Sequence, residues 1–326
     1  MRTPRRAVIL KNRTQFFHVI SRVVDRRKIF GDEEKQVFLS IIRRQESFSG
    51  VKVLAYSLMG NHFHLLVQVP VAPDELSETE IWERMKILHS REKMEEFEQE
   101  LEFHKSQGHE KWVSEFFERQ FARMYDLSEF VKEIKQRFSI WFNQRNERKG
   151  TLWEERFKSV LIEGKSGALM RVATYIELNA LRAGIVGKFG VYPWCSVSDA
   201  LNGGLKSREG ICSLVTGQGP KLDWVSAIKI YLAYLNTKTG DESTIVAKAQ
   251  VGHTEESLNR QPASGSVIND QSRQRSMTEG LIVGSYGFIE DIYTRNQQYF
   301  CNKRKKLCHR LAGEELSGLH SYRGVK

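Results

Sequence analysis

Cysteine is scarce in this sequence, and none of it is placed for cross-linking. The four residues, Cys195, Cys212, Cys301 and Cys308, are scattered and form no C-x-x-C pair. That argues against a zinc ribbon or a disulfide framework and fits a reducing, cytoplasmic setting. Long apolar runs are missing as well: nothing approaches the ~20 residues that span a bilayer, so no membrane partner is expected. The opening MRTPRRAVILKN carries positive charge without an adequate apolar stretch or a small-residue cleavage site. It reads as a basic arm rather than a signal peptide. No internal repeat is visible.

What is present is the composition of a globular protein, 326 residues with 40% hydrophobic and 28% charged side chains. The formal net charge is +10 and the pI near 9.4. An excess of cations favours a polyanionic partner through counterion release, although many basic proteins bind no nucleic acid.

The coarse order of elements is strand, helix, hairpin, helices, strand-like segment, helix. Gln15 to Val24 alternates aromatic and β-branched residues and predicts a strand. Asp32-Glu33-Glu34 opens a helix. Val51 to Leu58 and His62 to Val69 predict a hairpin turning at Gly60-Asn61. Ser77 to Gln136 is rich in Glu, Lys and Arg at helical spacing, with a break near Gln107-Gly108. Leu127 to Asn146 is a further helix, TLWEERFKSVLIEG returns extended, and Ala168 to Val186 is the next helix. An antiparallel sheet with helices packed on one face is the simplest α+β arrangement for that order. By residue number, 1–200 forms the main domain with a helical insertion at about 77–125. A helical extension follows at 201–236, then a flexible linker at 237–277 and a small basic segment at 278–326.

Two features carry chemistry. In MGNHFHLLV, His62 and His64 lie two apart on a strand and share a face, within reach of one divalent cation. A bare His-x-His is more often incidental, and zinc would want further His or Cys ligands nearby. On the helix at 168–186, Tyr175 and Asn179 stand at i and i+4, one above the other. For an isolated pair, an ordinary rim of the core is the commoner account.

Taken together, several segments resemble the HUH single-tyrosine transposases, and within them the REP-associated tyrosine transposases. They are FFHVISRVVDRRKIF, VLAYSLMGNHFHLLVQVP, LSEFVKEIKQRFSIWFNQRNERKGTLWEERFKS and YIELNALRAGIV with the following YPWCS. They fall in the family's order over most of the first 200 residues. The resemblance implies a ferredoxin-like HUH nuclease core in which His62, His64 and Asn179 hold Mg²⁺ or Mn²⁺ and Tyr175 is the nucleophile. It also implies single-stranded DNA as partner, at hairpin-forming REP-like repeats, cleaved and rejoined through a 5′-phosphotyrosine. Arg145, Arg148, Lys149, Arg156 and Lys158 would line the DNA path, with Trp153 and Phe157 as stacking platforms. Two departures stand out. The family usually reads Asn-Pro-Val where this chain has Asn179-Ala180-Leu181, and usually has proline where this chain has Gly60. The competing reading is a catalytically silent protein that binds DNA or RNA hairpins. The sequence leaves a monomer and a homodimer equally open.

Overall fold

The computed structural model describes residues 12–188, 190–217, 219–239, 280–297, 308–311 and 318–322. The basic arm through residue 11, nearly all of the expected linker, and the basic run at 303–306 lie outside the described residues.

The first half of the chain runs β1 (Gln15–Arg22), α1 (Asp32–Ser49), β2 (Lys52–Leu58), β3 (His62–Val69), α2 (Glu78–Leu88), α3 (Arg91–Ser106), α4 (Glu110–Phe121) and α5 (Leu127–Arg145). The second half follows with β4 (Lys158–Ile162), α6 (Ser166–Glu177), α7 (Asn179–Arg182), α8 (Ser196–Leu201), α9 (Leu205–Thr216) and α10 (Trp224–Thr239). It continues with β5 (Ile282–Gly284), α11 (Tyr286–Arg295), β6 (His309–Arg310) and β7 (His320–Tyr322).

These strands form one sheet in the order β2-β3-β1-β4-β5-β7-β6. Strand β1 is central, antiparallel to β3 on one edge and to β4 on the other. The β2–β3 hairpin turns at Gly60-Asn61 as expected, whereas β5 joins β4 in parallel. The α+β expectation holds, but helices cover both faces of the sheet rather than one. The reason lies in the strands, where both alternating sets are apolar enough to need cover. Phe16, Leu66, Val160 and Ile162 pack under α6, α9 and α10. Phe17, Val19, Leu65, Val67 and Leu161 pack on the other side under α1, α5 and α11. That second face centres on Phe38, which is fully buried between Phe30, Phe63, Phe138 and Trp153.

The stretch at 77–125 folds as three helices around a separate apolar cluster, with Ile81, Met85, Leu101, Val113 and Phe116 packed against Phe48 of α1. The break after α3 falls at Gln107. A second break, at His89-Ser90, is set by the Ser90 side chain, which accepts from the Lys93 amide and starts α3.

The helix expected over 168–186 is shorter than its sequence pattern suggests. It ends at Glu177, Leu178 leaves helical geometry, and α7 restarts at Asn179. What holds α6 in place is a chain of hydrogen bonds: the Tyr56 amide donates to Ser196 Oγ, and Ser196 donates to the Glu177 carboxylate, which also accepts from the Val197 amide. Strand β2, helix α8 and helix α6 are thereby fastened at one buried point. Gly210 allows α9 against the same strand, since a Cβ there would lie 2.6 Å from the Leu54 carbonyl oxygen.

Burial pushes the Glu177 carboxyl up to about 7, outweighing the hydrogen bonds that favour its ionised form. A carboxyl raised in this way stabilises the fold fully only below its unfolded value, and the contribution is lost as pH climbs to about 7. Urea unfolding of wild type and Glu177→Gln at about pH 5 and about pH 8 should show the wild type losing up to ~3 kcal/mol relative to the variant at the higher pH. A stability difference that does not move with pH would contradict the assignment.

Candidate active site

The site is built by strand register. Ile20 pairs with His64 and Arg22 with His62 across β1 and β3. Side chains alternate along each strand, so His18, Ile20 and Arg22 face the same way as His62 and His64. Helix α6 crosses that face and sets the Tyr175 ring 6.0 Å from the His64 ring and 5.8 Å from the His18 ring. The His62 and His64 rings stand 5.1 Å apart.

Each histidine is oriented by a neighbour. Asn61 Oδ1 lies 2.7 Å from His62 Nδ1. An amide oxygen only accepts, so His62 Nδ1 carries the proton and Nε2 keeps its lone pair. The Asn61 amide nitrogen donates to the Arg26 carbonyl, which fixes the turn itself. In the core of the sheet, His64 Nδ1 lies 2.9 Å from His18 Nε2. Burial, with Arg22 adding to it, lowers His62 to about 4. Burial pushes His64 well below the usual imidazole range, with the His62, His18, Arg22 and Arg182 charges acting in the same direction. Both rings are therefore neutral at neutral pH, the form that binds a metal.

Tyr175 is 7% exposed, and its hydroxyl is buried with no hydrogen-bond partner among the described residues. A buried orphan hydroxyl costs roughly 1–3 kcal/mol; Tyr56 and Tyr231 carry others, and that of Tyr175 belongs to the ring that contacts His18 and His64. Burial pushes it up to about 12, against the lowering effect of Arg182 and Arg22. The Arg182 guanidinium lies 5.1 Å from the centre of the Tyr175 ring and donates to the Tyr175 carbonyl. Asn179 donates from Nδ2 to the carbonyls of Tyr175 and Ile176, which seals the end of α6.

His62 and His64 set two neutral imidazoles on one face, a donor pair for a divalent cation. Among the described residues no group of three or more His, Cys, Asp or Glu side chains is arranged to hold a metal. Two imidazoles and one amide oxygen would leave most positions to water and phosphate, the habit of Mg²⁺ or Mn²⁺ in phosphoryl chemistry.

The residues expected along the DNA path divide. Lys158 sits opposite Ile20, on the histidine face, and pairs with Glu155 at 3.4 Å. Lys149 and Arg156 are exposed. Arg145 is paired with Glu33, and Arg148 is tied to Asn143 and the Thr151 carbonyl. Trp153 corrects the expectation of a stacking platform: it is packed into the aromatic core, with its indole N–H donating to Ser139 Oγ and the Lys135 carbonyl. The sequence reading missed His18, Arg22 and Arg182. Strand alternation from His18 to Arg22 could have pointed to the first two; Arg182 depended on the break at Leu178.

Residues 13–123 match the family model described as transposase, IS200-like. That stretch is IS200-transposase-like. It contains β1, the hairpin, His62 and His64, but ends before Asn179 and before Tyr175, whose place beside His64 comes from the fold. The chain is also similar to a solved REP-associated tyrosine transposase bound to a REP hairpin, at 17% identity and a TM-score of 0.37 over 60% of this chain and 83% of that one. No curated protein matches it. No helix among the described residues is long and apolar enough to cross a membrane.

The site's neutrality can be checked by histidine side-chain NMR. The His62 ring signals should stay flat from about pH 8 down to about pH 5.5 and titrate near 4. A midpoint near the free-imidazole value would mean that the ring is not desolvated as described.

Proposed function

We propose that the protein is a metal-dependent single-stranded DNA transposase that cleaves and rejoins hairpin-forming, REP-like DNA through Tyr175. The observation that carries this is the orphaned hydroxyl of Tyr175, buried beside the His64 ring on a face with two neutral imidazoles. The IS200-like match over the histidine-bearing third, residues 13–123, supports it. The hairpin substrate follows from the resemblance of the sequence to REP-associated transposases, with the net positive charge in agreement.

His62, His64 and Asn179 would hold Mg²⁺ or Mn²⁺. When bound, the ion supplies Lewis-acid stabilisation of charge on the scissile phosphate. The chain's own residues do the rest. Tyr175 Oη gives up its proton and attacks phosphorus, a Tyr–O–P bond forms, and the bond to the 3′ oxygen breaks. The departing oxygen takes a proton and leaves as a 3′-hydroxyl, while the 5′ phosphate stays on Tyr175. The reverse attack by a 3′-hydroxyl restores the phosphodiester without ATP, because the covalent link conserves its energy. Arg182, over the ring, and Arg22, beside His62, offset the negative charge that collects on Tyr175 and the phosphate. Helix α6, fastened through Glu177, keeps Tyr175 at the histidines rather than free to swing.

Incubation with labelled single-stranded hairpins and Mn²⁺ should give a protein–DNA adduct that survives denaturing electrophoresis. Tyr175→Phe should reduce it below about a thousandth of wild type, and chelation should abolish it. An adduct that persists in Tyr175→Phe would move the nucleophile elsewhere. Tight binding of hairpins with no adduct across a broad library would favour the silent binding protein.

A further inference from the structure

The proposed metal site takes two histidines from β3, yet the chain places a third beside them. His18 is fully buried in the middle of β1. Its Nε2 lies 2.9 Å from His64 Nδ1, and its ring stacks on the His64 ring at a centroid distance of 5.2 Å. That nitrogen points at another imidazole rather than outward. His18 also contacts the Tyr175 ring, at 5.8 Å.

A hydrogen bond between two imidazoles has only two proton arrangements. If His18 donated, His64 would carry its own proton on Nε2, and neither nitrogen of His64 could bind a cation. If His64 donates from Nδ1, its Nε2 holds a lone pair on the far side of the ring. His62 has the same arrangement, with Asn61 Oδ1 in the part of the acceptor. We infer that His18 is a positioning residue: it accepts from His64 Nδ1–H and so fixes the ring and the tautomer in which His64 Nε2 can bind the metal. This rests on the metal-dependent reading above. The sheet makes the arrangement rigid. His18 stands on the strand paired with β3, and Ile20, two residues on, is directly opposite His64. The two rings are thus neighbours on one face, held by ladder hydrogen bonds rather than by a loop. Ligand histidines commonly need such a partner, and its loss typically weakens metal binding about ten- to a hundredfold.

Two measurements on the full, DNA-free chain test this. Nitrogen-15 NMR of the histidine rings should find His64 as the Nδ1–H tautomer in metal-free wild type. His18→Leu should convert it to a mixture, and His18→Gln, whose amide oxygen can still accept, should retain it. Calorimetric titration with Mn²⁺ alone should give affinity about ten- to a hundredfold weaker in His18→Leu and close to wild type in His18→Gln. A residue that merely filled space would leave the tautomer unchanged and would not be rescued selectively by glutamine. Wild-type His64 protonated on Nε2, or a His18→Leu variant with unchanged tautomer and affinity, would overturn the inference. Wild type that binds no Mn²⁺ would overturn the metal-dependent reading instead, with the tautomer result still deciding the part played by His18.

Discussion

Pairing of Ile20 with His64 and of Arg22 with His62 places three histidines and an arginine on one face of the sheet. A slip of β3 by one residue would turn His62 and His64 into the aromatic core on the opposite side, among Phe30, Phe38 and Phe138, and away from His18 and Arg22. The hydrophobic partition between the faces enforces the register. Phe63 and Leu65 are wholly buried against the α1–α5 side, and their burial contributes roughly 1.5–3 kcal/mol each. The polar site is thus held in place by apolar neighbours that alternate with it along the same strand.

The site is expensive in stability, and the surrounding structure offsets that cost at particular points. The His64 imidazole and the Tyr175 phenol are kept from water with His62 half-buried beside them, and the phenol has no partner among the described residues. Against this, Ser196 and Glu177 clamp α6 to β2 and α8, and Asn179 and Arg182 close the helix end by bonding to the Tyr175 carbonyl. Tyr175 therefore projects from the last turn of a helix tied down at both its flank and its terminus. The proposed in-line attack on phosphorus would require such preorganisation, since a misplaced nucleophile forfeits much of the rate.

Much of the fold could be read directly from the sequence, because periodicity is a local signal. The strand at 15–22, the hairpin turning at Gly60-Asn61, helix α5 and the extended return at 158–162 all follow from alternation or helical spacing. The helix break at Leu178 did not show, since Asn179-Ala180-Leu181 lacks the proline that would have marked it, and a side-chain bond from Asn179 ends the helix instead. Helices on both faces were missed because two-sided burial of β1 depends on α6 to α10, whose docking is long-range. In the site, His62, His64 and Tyr175 were legible as motifs, and the fold sets them in ring contact. Trp153 was misread, since an aromatic residue in a basic turn looks the same on the page whether it faces DNA or fills a core. His18 and Arg22 were in view but silent, because their meaning depends on the strand they pair with.

The central claim is that Tyr175 forms the covalent bond to DNA at this histidine face. The direct measurement is tryptic digestion of the protein–DNA adduct followed by mass spectrometry of the modified peptide. Cleavage after Arg171 and Arg182 places Tyr175 in the peptide VATYIELNALR, where it is the only tyrosine. The account predicts a nucleotide 5′-phosphate on that residue. Modification of any other tyrosine, with this peptide recovered unmodified from the adduct, would contradict it.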